Sequence, residues 1–363
     1  MPQNNTDAED SPHGQKTVIA ARFSALGDVA MCIPVLYSAC RCYPQIKFVF
    51  VTRPSMTGIF VNAPSNLTIV GADVKKEYAG IAGLYRLVRK LCEEYRPEAF
   101  IDLHNVLRTM AMRFFFRMRG VRTAALNKGR DSKRALTRRS HKVMLPLISS
   151  RARYRETFFK VGLPLEERFH GLYGHGKNAD VKSFIHITGQ EKQPGEIWIG
   201  IAPFAAHAGK IYPPEKMEQV VRLISDRGDC RIFIFGGGGK EAEITAKWAS
   251  QHPCVTSLCG KKYGFEAELA LISHLDTMLS MDSANMHLAA IAGTRTVSVW
   301  GATHPYCGFK AWHQKDCDIV QLPLPCRPCS VFGDKPCHRG DMMCLNGIKP
   351  EMLYTRIFNP SDN

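Results

Sequence analysis

Two series of short apolar runs, each alternating with amphipathic stretches, constrain the fold of this chain more than any other feature. The runs are TVIAARF (17–23), KFVFV (47–51), LTIV (67–70) and AFIDL (99–103), then IWIGIA (197–202), RIFIF (231–235), DTMLSM (from Asp276) and TVSVW (296–300). The stretches between them predict helices over Val29–Cys42, Gly80–Glu94, Pro213–Asp226, Lys240–Gln251 and Phe265–His274. This alternation is typical of βαβ units with buried parallel strands, so the sequence predicts an α/β protein with two doubly wound sheets.

The chain length of 363 residues fits two domains of ordinary size. We predict a flexible tail at 1–16, a Rossmann-like domain at 17–175, a linker at 176–195, a second Rossmann-like domain at 196–348, and a C-terminal helix or tail at 349–363. The first sixteen residues are polar, and no apolar run approaches the roughly 18 residues that cross a bilayer. The sequence therefore predicts a cytoplasmic protein.

The positive charge is concentrated in one segment. The formal net charge is +15, and residues 86–155 contain 19 Lys and Arg but only 5 Asp and Glu. Such a segment is either a solvated basic face or a surface for an anionic partner, such as nucleic acid, an acidic membrane or a phosphorylated lipid. No recognisable nucleic-acid-binding motif accompanies it.

Thirteen cysteines are scattered among core-like segments, as expected of reduced thiols in a cytosolic enzyme. Four of them lie close together near the C-terminus: Cys326, Cys329, Cys337 and Cys344. Two interpretations remain open, a structural zinc site or a set of reduced, packed thiols.

Four loops that follow predicted strands form the candidate site, because ligands of open α/β sheets bind at the carboxyl ends of strands. They are SALGD (24–28), APFAAHAGK (202–210), GGGGKE (236–241) and MDSANMHLAA (281–290). None has the GxGxxG or Walker A pattern, which argues against a Rossmann oxidoreductase and against P-loop ATP binding.

Each candidate residue also has an ordinary structural interpretation. Asp28 and the Asp282–Ser283 pair could simply cap helices, Lys210 could be a surface lysine, and the four glycines could form only a flexible turn. Alternatively, Lys210 and a helix N-terminus would bind a diphosphate, and Glu241 would bind a ribose diol. His287 lies in an apolar helix and is interpreted as a buried histidine, not a base.

Together with GATHP (301–305), these loops resemble glycosyltransferase family 9, the heptosyltransferases, in order and over about residues 17–350. The resemblance implies a GT-B fold with two Rossmann-like domains facing a central cleft. It also implies inverting, metal-independent transfer of heptose from ADP-heptose to a lipopolysaccharide inner-core acceptor, with no cofactor. The alternative is a family 9 transferase that uses another nucleotide sugar for a different surface glycan.

The resemblance also implies roles for individual residues. Asp28 matches the general base, and Lys210, Glu241, Asp282 and Ser283 match donor-binding positions. The anionic acceptor, a Kdo-bearing lipid A, would bind the first domain, with Arg108, Arg113, Arg117, Arg119 and Arg122 as candidates. The protein would sit peripherally at the inner face of the cytoplasmic membrane and bind no nucleic acid. Phe114, Phe115 and Phe116 would meet lipid or enter the core, and we favour the core.

Overall fold

Two parallel sheets organise the chain in a computed structural model that describes residues 15–359. The first sheet contains β1 Thr17–Ala21, β2 Lys47–Thr52, β3 Leu67–Gly71, β4 Ala99–Asp102 and β5 Arg122–Ala125. The second contains β6 Ile197–Ala202, β7 Cys230–Ile234, β8 Val255–Ser257, β9 Thr277–Met281, β10 Thr296–Val299 and β11 Ile319–Val320. All eight predicted strands are present, and β5, β8 and β11 are additional.

The strand orders are those of doubly wound Rossmann sheets. They run β3-β2-β1-β4-β5 in the first sheet and β11-β10-β9-β6-β7-β8 in the second. In register, Ala21 at the end of β1 pairs with Val51 and Asp102, and Ala202 at the end of β6 pairs with Ser280. The order reverses beside β1 and β6, so each sheet has a switch point between its first and fourth strands, where ligands of such sheets bind.

Thirteen α-helices lie within the described residues. They are α1 Leu26–Ala30, α2 Ile33–Cys42, α3 Gly80–Tyr95, α4 Leu107–Met118, α5 Arg130–Leu136, α6 Ser150–Phe159, α7 Ile185–Thr188, α8 Pro214–Ser225, α9 Lys240–Gln251, α10 Phe265–Ile272, α11 Ala284–Ala292, α12 Met343–Asn346 and α13 Pro350–Phe358. None of these helices is long and apolar enough to cross a membrane. The single helix predicted over Val29–Cys42 is wrong, because α1 ends before a new helix starts with Pro34 in its first turn, where the missing N–H is tolerated.

Apolar side chains fill both faces of each sheet. On one face of the first sheet, Leu87 and Leu91 of α3 pack with Phe116 of α4. On one face of the second, Val220 of α8 packs with Leu353 of α13. The remaining faces join in one continuous buried cluster that runs from α2 and α6 to α10 and α11, so the two halves share a core.

The structure adds detail to the predicted domain bounds. Residues 1–14 of the predicted tail lie outside the described residues. Within the predicted linker, Phe184 packs against Trp198 and His274 of the second half. The predicted C-terminal helix is present as α13 and packs on the second half.

Candidate functional site

A cleft of about 640 Å³ lies where the switch points of the two sheets face each other. Its walls contain residues of all four loops that the sequence singled out: Gly27, Asp28, Lys210, Gly236, Gly237, Glu241, Asp282 and Ser283. The predicted catalytic and donor-binding residues therefore lie together in one cavity, with the first half supplying Asp28 and the second half supplying the others.

Asp28 is in the first turn of α1, just after β1. Its Oδ2 accepts a hydrogen bond from the Ala25 N–H at 3.2 Å and pairs with the Arg22 guanidinium at 2.7 Å. The carboxylate thus does cap its helix, but a quarter of the side chain remains exposed to the cleft. Burial opposes the charge on Arg22, yet the neighbouring Tyr154 and Asp28 outweigh it, so the pKa of Arg22 lies above its ordinary value.

Gly27 allows α1 and α11 to approach closely. A Cβ at this position would lie 3.0 Å from Cδ2 of His287 and 3.3 Å from Cα of Ala284. Any larger residue would therefore push the two helices apart. The glycine brings Asp28 close to the site loops of the second half.

Lys210 is held at the cleft by a buried carboxylate. Its Nζ lies 2.9 Å from Oδ2 of Asp282, which is almost fully buried and also accepts a hydrogen bond from Thr303 Oγ1 at 2.8 Å. Asp282 therefore orients the ammonium group and keeps a compensating charge next to it. Removing either partner would leave an unpaired charge in a poorly hydrated place.

The N-terminus of α11 also faces the cleft. Ser283 is its N-cap residue but makes no capping bond to the helix, and its Oγ lies 3.2 Å from Ser280 Oγ. Ala284 and Asn285 of the first turn line the cavity as well. Backbone N–H groups and the positive end of the helix dipole therefore lie next to Lys210, an arrangement that favours an anion.

The glycine-rich loop after β7 closes another part of the cleft. Glu241, in the first turn of α9, accepts a hydrogen bond from the Gly237 N–H at 2.6 Å through Oε2. A Cβ at Gly236 would lie 2.8 Å from Sγ of Cys259, so the loop is packed closely against the strand ends. Glu241 thus fixes the loop while it lines the cleft.

A second cavity of about 320 Å³ adjoins the cleft on the side of the first half. It contains four cationic side chains, Arg22, Lys128, Lys133 and Arg153, and among residues 15–359 Asp28 is the only carboxylate that lines it. Burial, together with the nearby Arg22, lowers the pKa of Lys128, as expected of crowded positive charge. We name this cavity the cationic pocket, and its excess positive charge suits an anionic ligand.

Asp28 belongs to both cavities, as do Ala25, Phe309 and Phe332. The ring of Phe309 lies 4.6 Å from Nζ of Lys133, a cation–π contact between the two halves. The carboxylate therefore stands at the boundary between the cleft and the cationic pocket.

The five arginines predicted to bind the acceptor lie elsewhere, and none of them lines either cavity. In α4, Arg113 pairs with the buried Asp102 at 3.4 Å, and Arg117 donates to Thr123 at 2.7 Å. Beyond the helix, Arg119 lies over the ring of Tyr85, whereas Arg122 is exposed on β5. The remaining one, Arg108, is half-buried in the first turn of α4.

The three phenylalanines of α4 divide between core and surface. Phe116 is fully buried and stacks on Phe100 with ring centres 4.3 Å apart. Phe115 is half-buried against Tyr85, and Phe114 is 59% exposed. The preference for the core is therefore correct for Phe116 and wrong for Phe114, which follows from the helical spacing of the three rings.

Two histidines near Asp28 are neutral at physiological pH. Burial lowers the pKa of His287 to about 4, and burial with the nearby Arg22 lowers that of His104 to about 3. His287 is buried as predicted, and its Nδ1 has no partner among the described residues. Neither imidazole therefore adds positive charge beside Asp28.

The sequence interpretation missed Glu268, which lines the cleft from α10. Burial raises its pKa to about 7. It also missed Phe309, Phe332, Lys128 and Lys133, since single residues outside the strand-end motifs have no distinguishing pattern. For Glu268, the only sequence feature is that it is one of two glutamates in a mostly apolar helix, FEAELALI.

Glu268 predicts a pH dependence of stability. In the folded chain the Glu268 carboxyl keeps its proton up to about pH 7, whereas in the unfolded chain it loses the proton near pH 4.5. The free energy of unfolding should therefore fall as pH rises from about 4.5 to about 7. We expect Glu268→Gln to flatten that fall, measured as melting temperature against pH. Glu266→Gln, an exposed neighbour on the same helix, is the control. Equal slopes in the wild type and Glu268→Gln would contradict the assignment.

The four C-terminal cysteines line one small cavity together. All four are free thiols. Across residues 15–359, no group of three or more His, Cys, Asp or Glu side chains is arranged to hold a metal ion. The structure thus gives no geometric support to the zinc interpretation.

The profile of glycosyltransferase family 9 (heptosyltransferase) matches residues 84–337, which is more than half of the chain. The chain belongs to glycosyltransferase family 9. It is therefore a glycosyltransferase enzyme, as the order of its loop motifs predicted.

Relatives of this glycosyltransferase span nearly its whole length. Lipooligosaccharide heptosyltransferase 2 of Campylobacter jejuni is 23% identical over 92% of this chain and 95% of its own. The lipopolysaccharide core heptosyltransferase OpsX of Haemophilus influenzae is 22% identical over 80% of each chain.

Solved structures share the fold. A family 9 glycosyltransferase from Veillonella parvula superposes with a TM-score of 0.71 at 15% identity, covering 95% of this chain and 96% of that one. ADP-heptose lipopolysaccharide heptosyltransferase II of Escherichia coli gives 0.64 at 14% identity, covering 94% and 97%. The E. coli heptosyltransferase WaaC with ADP gives 0.58 at 19% identity, covering 82% and 90%. The predicted GT-B fold with two Rossmann-like sheets is confirmed.

Proposed function

We propose that this enzyme transfers heptose from ADP-heptose to an anionic inner-core acceptor of lipopolysaccharide, with inversion and without a metal ion. The observation that carries the proposal is the position of Asp28, which lies at the junction of the donor cleft and the cationic pocket. A base at such a junction faces the donor on one side and the acceptor on the other.

The donor side suits a nucleoside diphosphate sugar. Lys210 and the N-terminus of α11 would bind the diphosphate, and Glu241 and the glycine-rich loop would meet the ribose. ADP is named in the structure of WaaC, a protein of the same fold, and ADP-2-deoxy-2-fluoro heptose in another structure of it. Those names, with the heptosyltransferase relatives, support ADP-heptose as the donor.

In the proposed reaction the acceptor hydroxyl oxygen attacks the anomeric carbon of the donor sugar. Its proton passes to the Asp28 carboxylate as the new C–O bond forms. The bond from the anomeric carbon to the phosphate oxygen breaks, and its electron pair leaves with ADP. Lys210 and the backbone N–H groups of α11 stabilise the charge that grows on the diphosphate. A single displacement of this kind inverts the anomeric centre.

A donor screen tests this proposal. Purified enzyme is incubated with a Kdo-terminated lipid A and, in parallel, with ADP-heptose or with other nucleotide sugars. We expect turnover with ADP-heptose. Efficient transfer only from another donor would instead establish the alternative, a family 9 enzyme that builds a different glycan.

The acceptor side is proposed to be the cationic pocket, where Lys128 and Lys133 would bind acceptor carboxylates or phosphates. We expect the double variant Lys128→Gln/Lys133→Gln to raise the acceptor KM about tenfold with little change in the donor KM, since charged hydrogen bonds contribute on this scale.

The matched control is Arg117→Gln/Arg119→Gln, which removes two cations outside both cavities. Steady-state kinetics with each substrate varied in turn measures both effects. A rise in acceptor KM in the arginine variant alone would contradict this proposal. It would place the acceptor site on the arginine surface that the sequence predicted.

A further inference from the structure

An exposed apolar loop lies beside the cationic pocket. We name residues 138–148, RRSHKVMLPLI, the basic–apolar loop. Its apolar side chains face solvent: Val143 is 46% exposed, Met144 42%, Leu145 63% and Ile148 58%. A run of this kind has an energetic cost in water, and larger exposed apolar patches mark interaction sites.

The loop is held in place while its apolar side chains stay outside. The Val143 N–H donates to Ala135 O at 3.2 Å, and the Leu147 N–H donates to Tyr306 O at 2.9 Å. Lys142 Nζ donates to the carbonyls of Cys326 and Pro328 in the second half. The exposed residues between these anchors are thus presented by a fixed backbone.

The segment that contains the loop is rich in positive charge. Residues 132–155 contain eight Lys and Arg and no Asp or Glu. Arg138 and Arg139 are exposed and form no ion pair within the described part of the chain. Basic residues beside exposed apolar ones match a surface that offers negative charge and hydrocarbon together.

The position of the loop connects it to the site. The loop follows α5, whose Lys133 lines the cationic pocket, and it ends just before Ser150, which lines the same pocket. A surface that binds this loop would therefore lie close to the cationic pocket, which Asp28 also lines.

We propose that the basic–apolar loop docks the enzyme on an anionic phospholipid bilayer. Met144 and Leu145 enter the interface, and Arg138 and Arg139 contact the headgroups. A second copy of the chain is a poorer occupant, because a two-fold contact would bring the same unpaired arginines together. This inference deepens the proposed function, since a lipid-linked acceptor would be presented at that surface.

Co-sedimentation with vesicles tests the docking. The full chain is mixed with phosphatidylcholine vesicles that contain or lack phosphatidylglycerol, with no donor or acceptor present. We expect binding to the anionic vesicles that weakens with added salt. Met144→Ser/Leu145→Ser should reduce the partition coefficient about tenfold, and Arg138→Gln/Arg139→Gln should reduce it mainly at low salt.

The matched control is Leu107→Ser/Met118→Ser, which removes two exposed apolar side chains of α4. Unchanged vesicle binding by both loop variants, or an equal loss in the α4 control, would overturn the proposal. So would a dimer in light scattering without lipid that Met144→Ser/Leu145→Ser dissociates, because the loop would then be a self-association surface.

The donor screen and the vesicle assay test the two proposals independently. Vesicle binding without heptose transfer would leave the docking proposal standing and remove the proposed donor. Transfer to a soluble, delipidated acceptor without vesicle binding would do the opposite.

Discussion

The Asp28→Asn variant should transfer sugar at least about a hundredfold more slowly than the wild type, which is the scale of general-base catalysis. The amide keeps the shape of the side chain and can still accept hydrogen bonds from the Ala25 N–H and from Arg22. It cannot take the proton of an acceptor hydroxyl. The loss should appear in kcat, with the donor KM nearly unchanged, and is measured by ADP release.

Two companion variants make this result interpretable. Asp131→Asn makes the same chemical change on α5, where the carboxylate is almost fully exposed, and should leave turnover intact. Because Asp28→Asn leaves the buried Arg22 without its anion, melting temperatures of all variants are compared. If Asp28→Asn folds poorly, Asp28→Glu retains the charge but moves the oxygens. Near wild-type turnover in folded Asp28→Asn would remove this residue from the base role.

The Lys210→Met variant should lower kcat by about a hundredfold to a thousandfold, because in the proposed reaction this cation stabilises the charge that develops on the departing diphosphate. The donor KM should change less, since the interaction strengthens most in the transition state. Single-turnover kinetics with saturating donor measures the effect.

Two variants separate the role of Lys210 from a general loss of charge. Lys247→Met removes an exposed lysine from α9 and should have no effect on turnover. Asp282→Asn keeps Lys210 but weakens the group that orients it, so we expect an intermediate loss. A change in donor KM alone in Lys210→Met would show that the lysine binds the donor equally in ground state and transition state.

Sequence patterns predicted the sheets well and their edges poorly. The eight predicted strands are apolar runs such as IWIGIA; seven of them lie in the interior of their sheets, and β3 is the one at an edge. The missed strands β5, β8 and β11 have two to four residues each, and all three lie at sheet edges. Short edge strands bury less surface and need no continuous apolar run, so periodicity does not reveal them.

The candidate site shows a similar division. Asp28, Lys210, Glu241 and Asp282 follow strand ends, and parallel topology brings such positions together without further information. The five arginines predicted to bind the acceptor lie outside both cavities, because charge density along the chain identifies a segment but not the face to which each side chain points. Lys128 and Lys133 lie in the same basic segment as Arg117 and Arg119, yet only the lysines face the pocket.

The shared core of the two halves has a consequence for recombining members of this family. The buried cluster that passes from α2 to α11, with Gly27 against Ala284, makes the two lobes mutually fitted parts and not interchangeable modules. In a chimera that takes its N-terminal lobe from another transferase, the buried contact between the two lobes would pack poorly. Grafting side chains of the cationic pocket onto this scaffold would avoid that mismatch.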